Sequence, residues 1–226
     1  MTEFADKVVL VTGAAGALGQ AVVEHFAARG AKLAQLDVVE IDNGHYCAVC
    51  DLTDTTNTAS AVADVVAELG AIDVLANIAG GFKMGESVHE TTAETWDFLM
   101  GLNAESVLNM ARAVVPQMLT QGGGKIVNIG AGAGLSGIAQ MGAYSASKSV
   151  VIRLTEAMAS ELRAQNINVN CILPSIIDTP RNRADMPDAD FSKWVTPAAM
   201  AEVVGFLASD AAAPIHGAAV PVSGLS

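Results

Sequence analysis

The chain has 226 residues, 51% of them hydrophobic, with 12 Lys and Arg against 24 Asp and Glu for a formal net charge of -12. That length holds one well-buried domain and not two ample ones, and an acidic balance with no basic stripe weighs against nucleic acid or an anionic membrane surface as partner. No apolar run reaches the length of a membrane span, and the opening MTEFADK is acidic where a signal peptide would be basic, so a cytoplasmic location is expected.

Lys7 to Gly30, KVVLVTGAAGALGQAVVEHFAARG, reads as a strand, a glycine turn and a helix in unbroken succession. Val8 to Val11 is a continuous β-branched and apolar run, as in a parallel strand covered on both faces. Leu18, Val22 and Phe26 recur every fourth residue on one helix face, and Gly30 stands where a helix ends in a left-handed residue. Between them Gly13, Gly16 and Gly19, with Ala15 and Leu18, form a turn whose backbone amides can approach a phosphate, while the helix N-terminus adds partial positive charge. This pattern predicts a dinucleotide site; a tight turn without a ligand is the plain alternative. The next apolar segment, KLAQLD, ends on Asp37, whose carboxylate would take hydrogen bonds from adenosine ribose hydroxyls and repel a ribose phosphate. With no Arg or Lys in the turn or directly after Asp37, NAD is the predicted coenzyme rather than NADP.

YCAVC gives a third strand that ends at Asp51 and Leu52. Three cysteines, Cys47, Cys50 and Cys171, fit a reducing compartment. Cys47 and Cys50 form a CxxC, but residues three apart in a strand face opposite sides and no second pair completes a zinc site, so no metal is predicted. Asp51, with Leu52 beside it, either receives the adenine amino group or caps the next helix. Val62, Val65, Val66 and Leu69 mark that helix, stopped by Gly70. Strand-like and helix-like segments alternate along the whole chain with no repeat or linker, the pattern of a doubly wound α/β sheet.

In the fourth strand, IDVLANIAGG from Ile72 to Gly81, Asn77, Ala79 and Gly80 resemble the Asn-Asn-Ala-Gly signature of the short-chain dehydrogenase/reductase family, with Ile78 in place of the second Asn. The resemblance implies a single Rossmann-type domain over residues 1–226, with a parallel sheet of about seven strands and helices on both faces. It also implies that the turn of Asn77, Ala79 and Gly80 supports the sheet centre and borders the adenosine ribose. Thr91 to Met118 is helical in pattern, with Asn103 in its middle. The matching Asn of the family holds a water in a proton relay; a hydrogen-bonded helix Asn is the alternative.

Tyr144 and Lys148, in YSASK, are four apart and so share one helix face. A phenol has a reference pKa near 10; an adjacent ammonium, with the positive charge of NAD+, would favour the phenolate and lower that value. Lys148 could also hold the nicotinamide ribose hydroxyls. The family usually places a Ser thirteen residues before this Tyr, and here that position is Ala131, which donates no hydrogen bond. Ser136 and Gln140 are the nearby candidates to replace it.

INVNCILPSIIDTP resembles the family's sixth strand and the turn after it, with Ser175 in place of Gly. Pro174, Ile177 and Thr179 would then border the nicotinamide, Ile177 through its backbone. Asp178 to Trp194, together with GALG, DVVE and AGG earlier, resembles the dihydropteridine reductase branch, which also carries Ala in place of the Ser. Residues 178–196 are the predicted substrate lid. Its Arg181 and Arg183 either meet a substrate or are solvated, and its Met186, Phe191 and Trp194 either line the pocket or pin the lid to the core. Thr196 and Pro197 start the last helix, and GAAVPV from Gly217 supplies the last strand. The reading is an NAD(H)-dependent oxidoreductase acting on a small carbonyl, alcohol or quinonoid substrate, with Tyr144, Lys148 and Asn103 as its catalytic residues. By resemblance it is a homodimer or homotetramer. The alternative from a different class is an NAD(H)-binding sensor or scaffold that Ala131 has deprived of efficient chemistry.

Overall fold

All five residues of strand β1 (Val8–Thr12) are buried, as their β-branched run requires. The computed structural model describes residues 3–226 and builds one seven-stranded parallel sheet around that strand, in the order β3-β2-β1-β4-β5-β6-β7. The other strands are β2 (Lys32–Asp37), β3 (Tyr46–Val49), β4 (Val74–Asn77), β5 (Gly124–Ile129), β6 (Ile167–Pro174) and β7 (Ala219–Val222). The chain leaves β1 for β2 on one side and returns to β4 on the other, so the ends of β1 and β4 flank the point where winding reverses. In sheets of this kind that crevice takes the ligand.

Alternation along β1 sends side chains to two cores. Val9 and Val11 pack with Phe26 of α1 (Ala17–Ala27) and Met200 and Val204 of α7 (Pro197–Ala208). Leu10 packs on the opposite face with Val62 and Val65 of α2 (Thr55–Leu69) and Met110 and Val114 of α4 (Ser106–Gln121). Both faces of the sheet are therefore covered, which is why its central strands read as unbroken apolar runs.

Three boundaries differ from expectation. β4 ends at Asn77, and residues 78–81 leave the sheet as a loop. β3 ends at Val49, so Asp51 and Leu52 lie beyond it, and the cap of α2 is Asp54, whose carboxylate accepts the Thr56 and Asn57 amides. The single helix expected over Thr91–Met118 is interrupted: α3 (Ala93–Met100) passes into a π-helical turn over Gly101–Glu105 before α4 begins. An extra residue per turn re-aims a side chain, and here it carries Asn103 into the interior, 1% exposed. Thr196 and Pro197 open α7 as cap and first residue, the Thr196 hydroxyl accepting the Ala199 amide at 3.1 Å. Cys50 lies in the core and Cys47 at its edge, and burial pushes both thiols above the usual range.

Candidate active site

The turn after β1 touches the loop after β4. Gly13 is left-handed at φ 63°, and a Cβ there would stand 2.8 Å from the Ala79 backbone. The Thr12 hydroxyl fixes the same contact by accepting the Ile78 amide at 3.1 Å and the Ala79 amide at 3.2 Å. Gly19 lets α1 approach the turn: a Cβ would lie 2.1 Å from the Gly13 carbonyl oxygen. Gly16 is the N-cap of α1, offers no capping side chain, and no acidic residue follows in the first turn. The helix therefore presents uncapped amides and the positive end of its dipole at the winding switch point. The Asp37 carboxylate reaches into this turn and accepts the Ala15 amide at 2.9 Å. Gly13, Ala15, Gly16, Gly19, Asp37, Ala79 and Gly80 come together here, with Leu18 packed on the core below.

The other predicted coenzyme residues are placed differently. Asn77 turns inward: its Nδ2 donates to Asn128 Oδ1 at 2.8 Å, Asn128 donates to Thr155 at 2.9 Å, and Thr155 donates to the Val151 carbonyl at 2.8 Å. This buried chain ties β4 and β5 to α5 (Gly142–Leu162). Asp51 is exposed and accepts both the amide and the hydroxyl of Thr53, which hold its carboxyl below the usual range. Leu52 faces the second core. Pro174 ends β6, Ile177 bridges to Val195, and Thr179 caps α6 (Pro180–Asp185) by accepting the Asn182 amide at 3.2 Å.

Tyr144 and Lys148 lie one turn apart on α5. Lys148 is 5% exposed and its ammonium donates to the Ile129 carbonyl at 2.8 Å. Burial pushes it down to about 8. Tyr144 packs edge-on against Phe82, ring centroids 4.9 Å apart, and burial pushes the phenol up to about 12. The expected depression of the phenol by its lysine neighbour is therefore reversed in the free protein, because loss of water around the phenolate outweighs any charge beside it. Asn103 bonds the Gly81 backbone at both ends, Oδ1 accepting its amide at 2.8 Å and Nδ2 donating to its carbonyl at 3.0 Å. Nδ2 also donates to Ser147 Oγ at 3.0 Å, which leaves neither amide hydrogen for a water. A Cβ on Gly80 would stand 3.0 Å from Asn103 Oδ1 and 3.2 Å from Lys148 Nζ, so glycine is what lets these groups converge.

Ala131 is 4% exposed, two residues beyond the end of β5. Ser136 and Gln140 are exposed, and among the described residues no hydrogen bond joins either side chain to Tyr144. Gln140 is left-handed at φ 62° and its carbonyl accepts the Gly85 amide at 2.8 Å, tying the approach to α5 to the loop after Phe82. In the segment 178–196, Arg183 makes a two-point ion pair with Asp178 (2.5 and 2.8 Å) and lies over the Phe191 ring, while Arg181 meets Asp185 at 3.7 Å. Both arginines are thus paired within their own segment. Trp194 is buried and pins its far end, whereas Met186 and Phe191 are half-buried.

A family model described as short chain dehydrogenase matches residues 7–190. The chain belongs to the short-chain dehydrogenase/reductase family. It is 33% identical to D-threitol dehydrogenase of Mycolicibacterium smegmatis, covering 96% of this chain and 92% of that enzyme. It is 34% identical to NAD-dependent glycerol dehydrogenase of Listeria innocua, covering 97% and 93%. Among solved structures, carveol dehydrogenase from Mycobacterium avium in complex with NAD superposes with a TM-score of 0.90 at 27% identity, covering 99% of this chain and 98% of that one.

Three residues that sequence reasoning did not single out contact the predicted catalytic ones: Gly81 and Ser147 bond Asn103, and Phe82 packs on Tyr144. Ser147 sat in plain view inside YSASK, three residues after Tyr144, where a helix serine can bond back to the i−3 carbonyl. For Phe82 the signal was a lone aromatic directly after the AGG turn. Among the described residues no helix is long and apolar enough to cross a membrane.

Proposed function

We propose that this protein is an NAD(H)-dependent carbonyl or quinonoid reductase, with Tyr144 as proton donor. The carrying observation is the pairing on α5 of a neutral phenol with a buried ammonium one turn away. The coenzyme residues fit the group: an uncapped helix N-terminus for the pyrophosphate, a turn that side chains at Gly13 and Gly19 would fill, and the Asp37 carboxylate where the ribose diol would lie. That carboxylate, with no cation in the turn to offset it, favours NAD over NADP. When bound, the nicotinamide supplies the hydride. Lys148 would hold its ribose, Ile177 and Thr179 would border its carboxamide, and Gly80 would floor the site.

A phenol pushed up to about 12 is protonated at neutral pH, the form that donates a proton in the reductive direction. Tyr144 passes its proton to the oxygen of a carbonyl or quinone, or to the ring nitrogen of a quinonoid dihydropterin, and the ammonium of Lys148 stabilises the phenolate left behind. Asn103, with both side-chain hydrogens engaged, would hold a relay water through its main-chain carbonyl. The half-exposed Phe82 against Tyr144 and the buried Ala131 both leave the reacting position short of hydroxyl donors, which favours a planar conjugated substrate of the dihydropteridine kind over the polyols in the relatives' names. Assembly as a homodimer or homotetramer, a single domain over 1–226 with a lid at 178–196, and a cytoplasmic location complete the reading. The test is NADH oxidation against quinonoid dihydropterin, quinones, ketones and polyol-derived ketoses, beside fluorescence titrations with NADH and NADPH. Turnover of conjugated substrates with tighter NADH binding is expected; binding without any turnover, or tighter NADPH binding, would overturn the reading.

A further inference from the structure

Ser147 sits where three elements of the reaction centre meet. It is 0% exposed. Its hydroxyl donates to the Tyr144 carbonyl at 2.9 Å within the same turn of α5, and its oxygen accepts the second hydrogen of Asn103 Nδ2 at 3.0 Å. Asn103, from the π-helical turn, in turn pairs with both backbone groups of Gly81, the residue after Gly80. Gly80 is the floor against which Asn103 Oδ1 and Lys148 Nζ both stand. A hydroxyl has one hydrogen; because the Tyr144 carbonyl takes it, the oxygen is left as acceptor, which is what a buried amide hydrogen requires.

We infer that Ser147 is a positioning residue of the reaction. Its hydroxyl locks the helical turn carrying Tyr144 and Lys148 to Asn103, and through Asn103 to the Gly80–Gly81 turn. The distance between the proton donor and the floor of the coenzyme site is set by this link and not by α5 packing alone. Without it a buried amide hydrogen has no partner, and the Asn103 side chain relaxes away from Gly81. Ser147 is fully buried and presents no surface to a coenzyme or substrate, so its effect falls on the chemical step and leaves binding alone.

This inference rests on the reductase reading, and its test has a readout that does not. Ser147→Ala is smaller and helix-favouring, so α5 keeps its fold. In Ser147→Ala, kcat should fall about tenfold while KM and the NADH dissociation constant stay within twofold. Amide exchange at Gly81 should quicken about tenfold, with the amides at the C-terminal end of α5 unmoved. In an Asn103→Ala background the same substitution should change kcat less than twofold, because Ser147 acts through Asn103. Unchanged Gly81 exchange, or an undiminished loss in the Asn103→Ala background, would overturn the inference. A wild type that turns over nothing would overturn the reductase reading instead, and Gly81 exchange would still decide the role of Ser147.

Discussion

A lysine that is 5% exposed and pushed from 10.5 down to about 8 is a charge the fold holds against its preference. That displacement corresponds to about 3 kcal/mol of stability withheld while the ammonium is protonated. The sign follows from linkage: between about pH 8 and 10.5 the unfolded chain binds the proton and the folded chain does not, so stability rises with pH across that window. The buried Cys171 thiol, pushed up to about 11, acts with the opposite sign above about pH 9, so urea denaturation of the free protein from pH 7 to 9 should show this rise, and Lys148→Met should remove it while abolishing turnover; an unaltered rise in the variant would mean that another group is responsible. The same ammonium is needed for chemistry, so activity should decline as pH climbs past about 8, opposite in direction to stability. Ala131 makes the second prediction at this scale. Restoring a donor with Ala131→Ser should raise kcat for simple ketones by roughly 100-fold, the size of an oxyanion-donor effect, and change quinonoid substrates little. No gain with ketones would show that another group already fills the role. Tyr144 and Lys148 were legible in the sequence because a spacing of four is one helical turn. Phe82 and Ser147 were not, because what makes them matter is a contact with residues 62 and 44 positions away in the chain.

At the level of elements, the break at Gly101–Glu105 was not marked by periodicity, because the apolar positions of residues 93–121 fit a continuous helix and Gly101 alone does not specify an extra residue in the turn. The cause is tertiary: the two-point bond between Asn103 and Gly81 holds one extra residue in the turn. The pairing of α1 with α7 was equally hidden. His25 of α1 is buried against Gly205 of α7, where a Cβ would lie 2.0 Å from Nε2, and its Nδ1 meets Glu202 at 3.3 Å. Burial holds the imidazole below its usual range. Gly205→Ala should therefore cost about 1–3 kcal/mol through overpacking, seen as a Tm lower by several degrees. Coenzyme binding should be retained, since the clash lies on the sheet face that α1 and α7 cover and not at the crevice. An unchanged Tm would mean that His25 can turn aside freely.

For the whole molecule, what the sequence carried well was the strand, glycine turn and helix at the start, the Thr196 cap of the last helix, and the alternation that makes a doubly wound sheet. The strand order puts the turn of Gly13 to Gly19 and the loop of Asn77 to Gly81 side by side at the winding switch point, with α5 bringing Tyr144 and Lys148 to the same crevice. Ionisation was the part least legible. A lysine neighbour argues for a low phenol value, and burial, which no spacing reveals, argues for a high one and prevails in the free protein. The account therefore turns on a neutral Tyr144 acting as acid, and the rate of NADH oxidation in Tyr144→Phe beside wild type, with a quinonoid substrate at neutral pH, tests it most directly. The predicted result is a loss of about 10²–10⁴-fold in kcat with NADH binding unchanged; turnover that survives the substitution would contradict it.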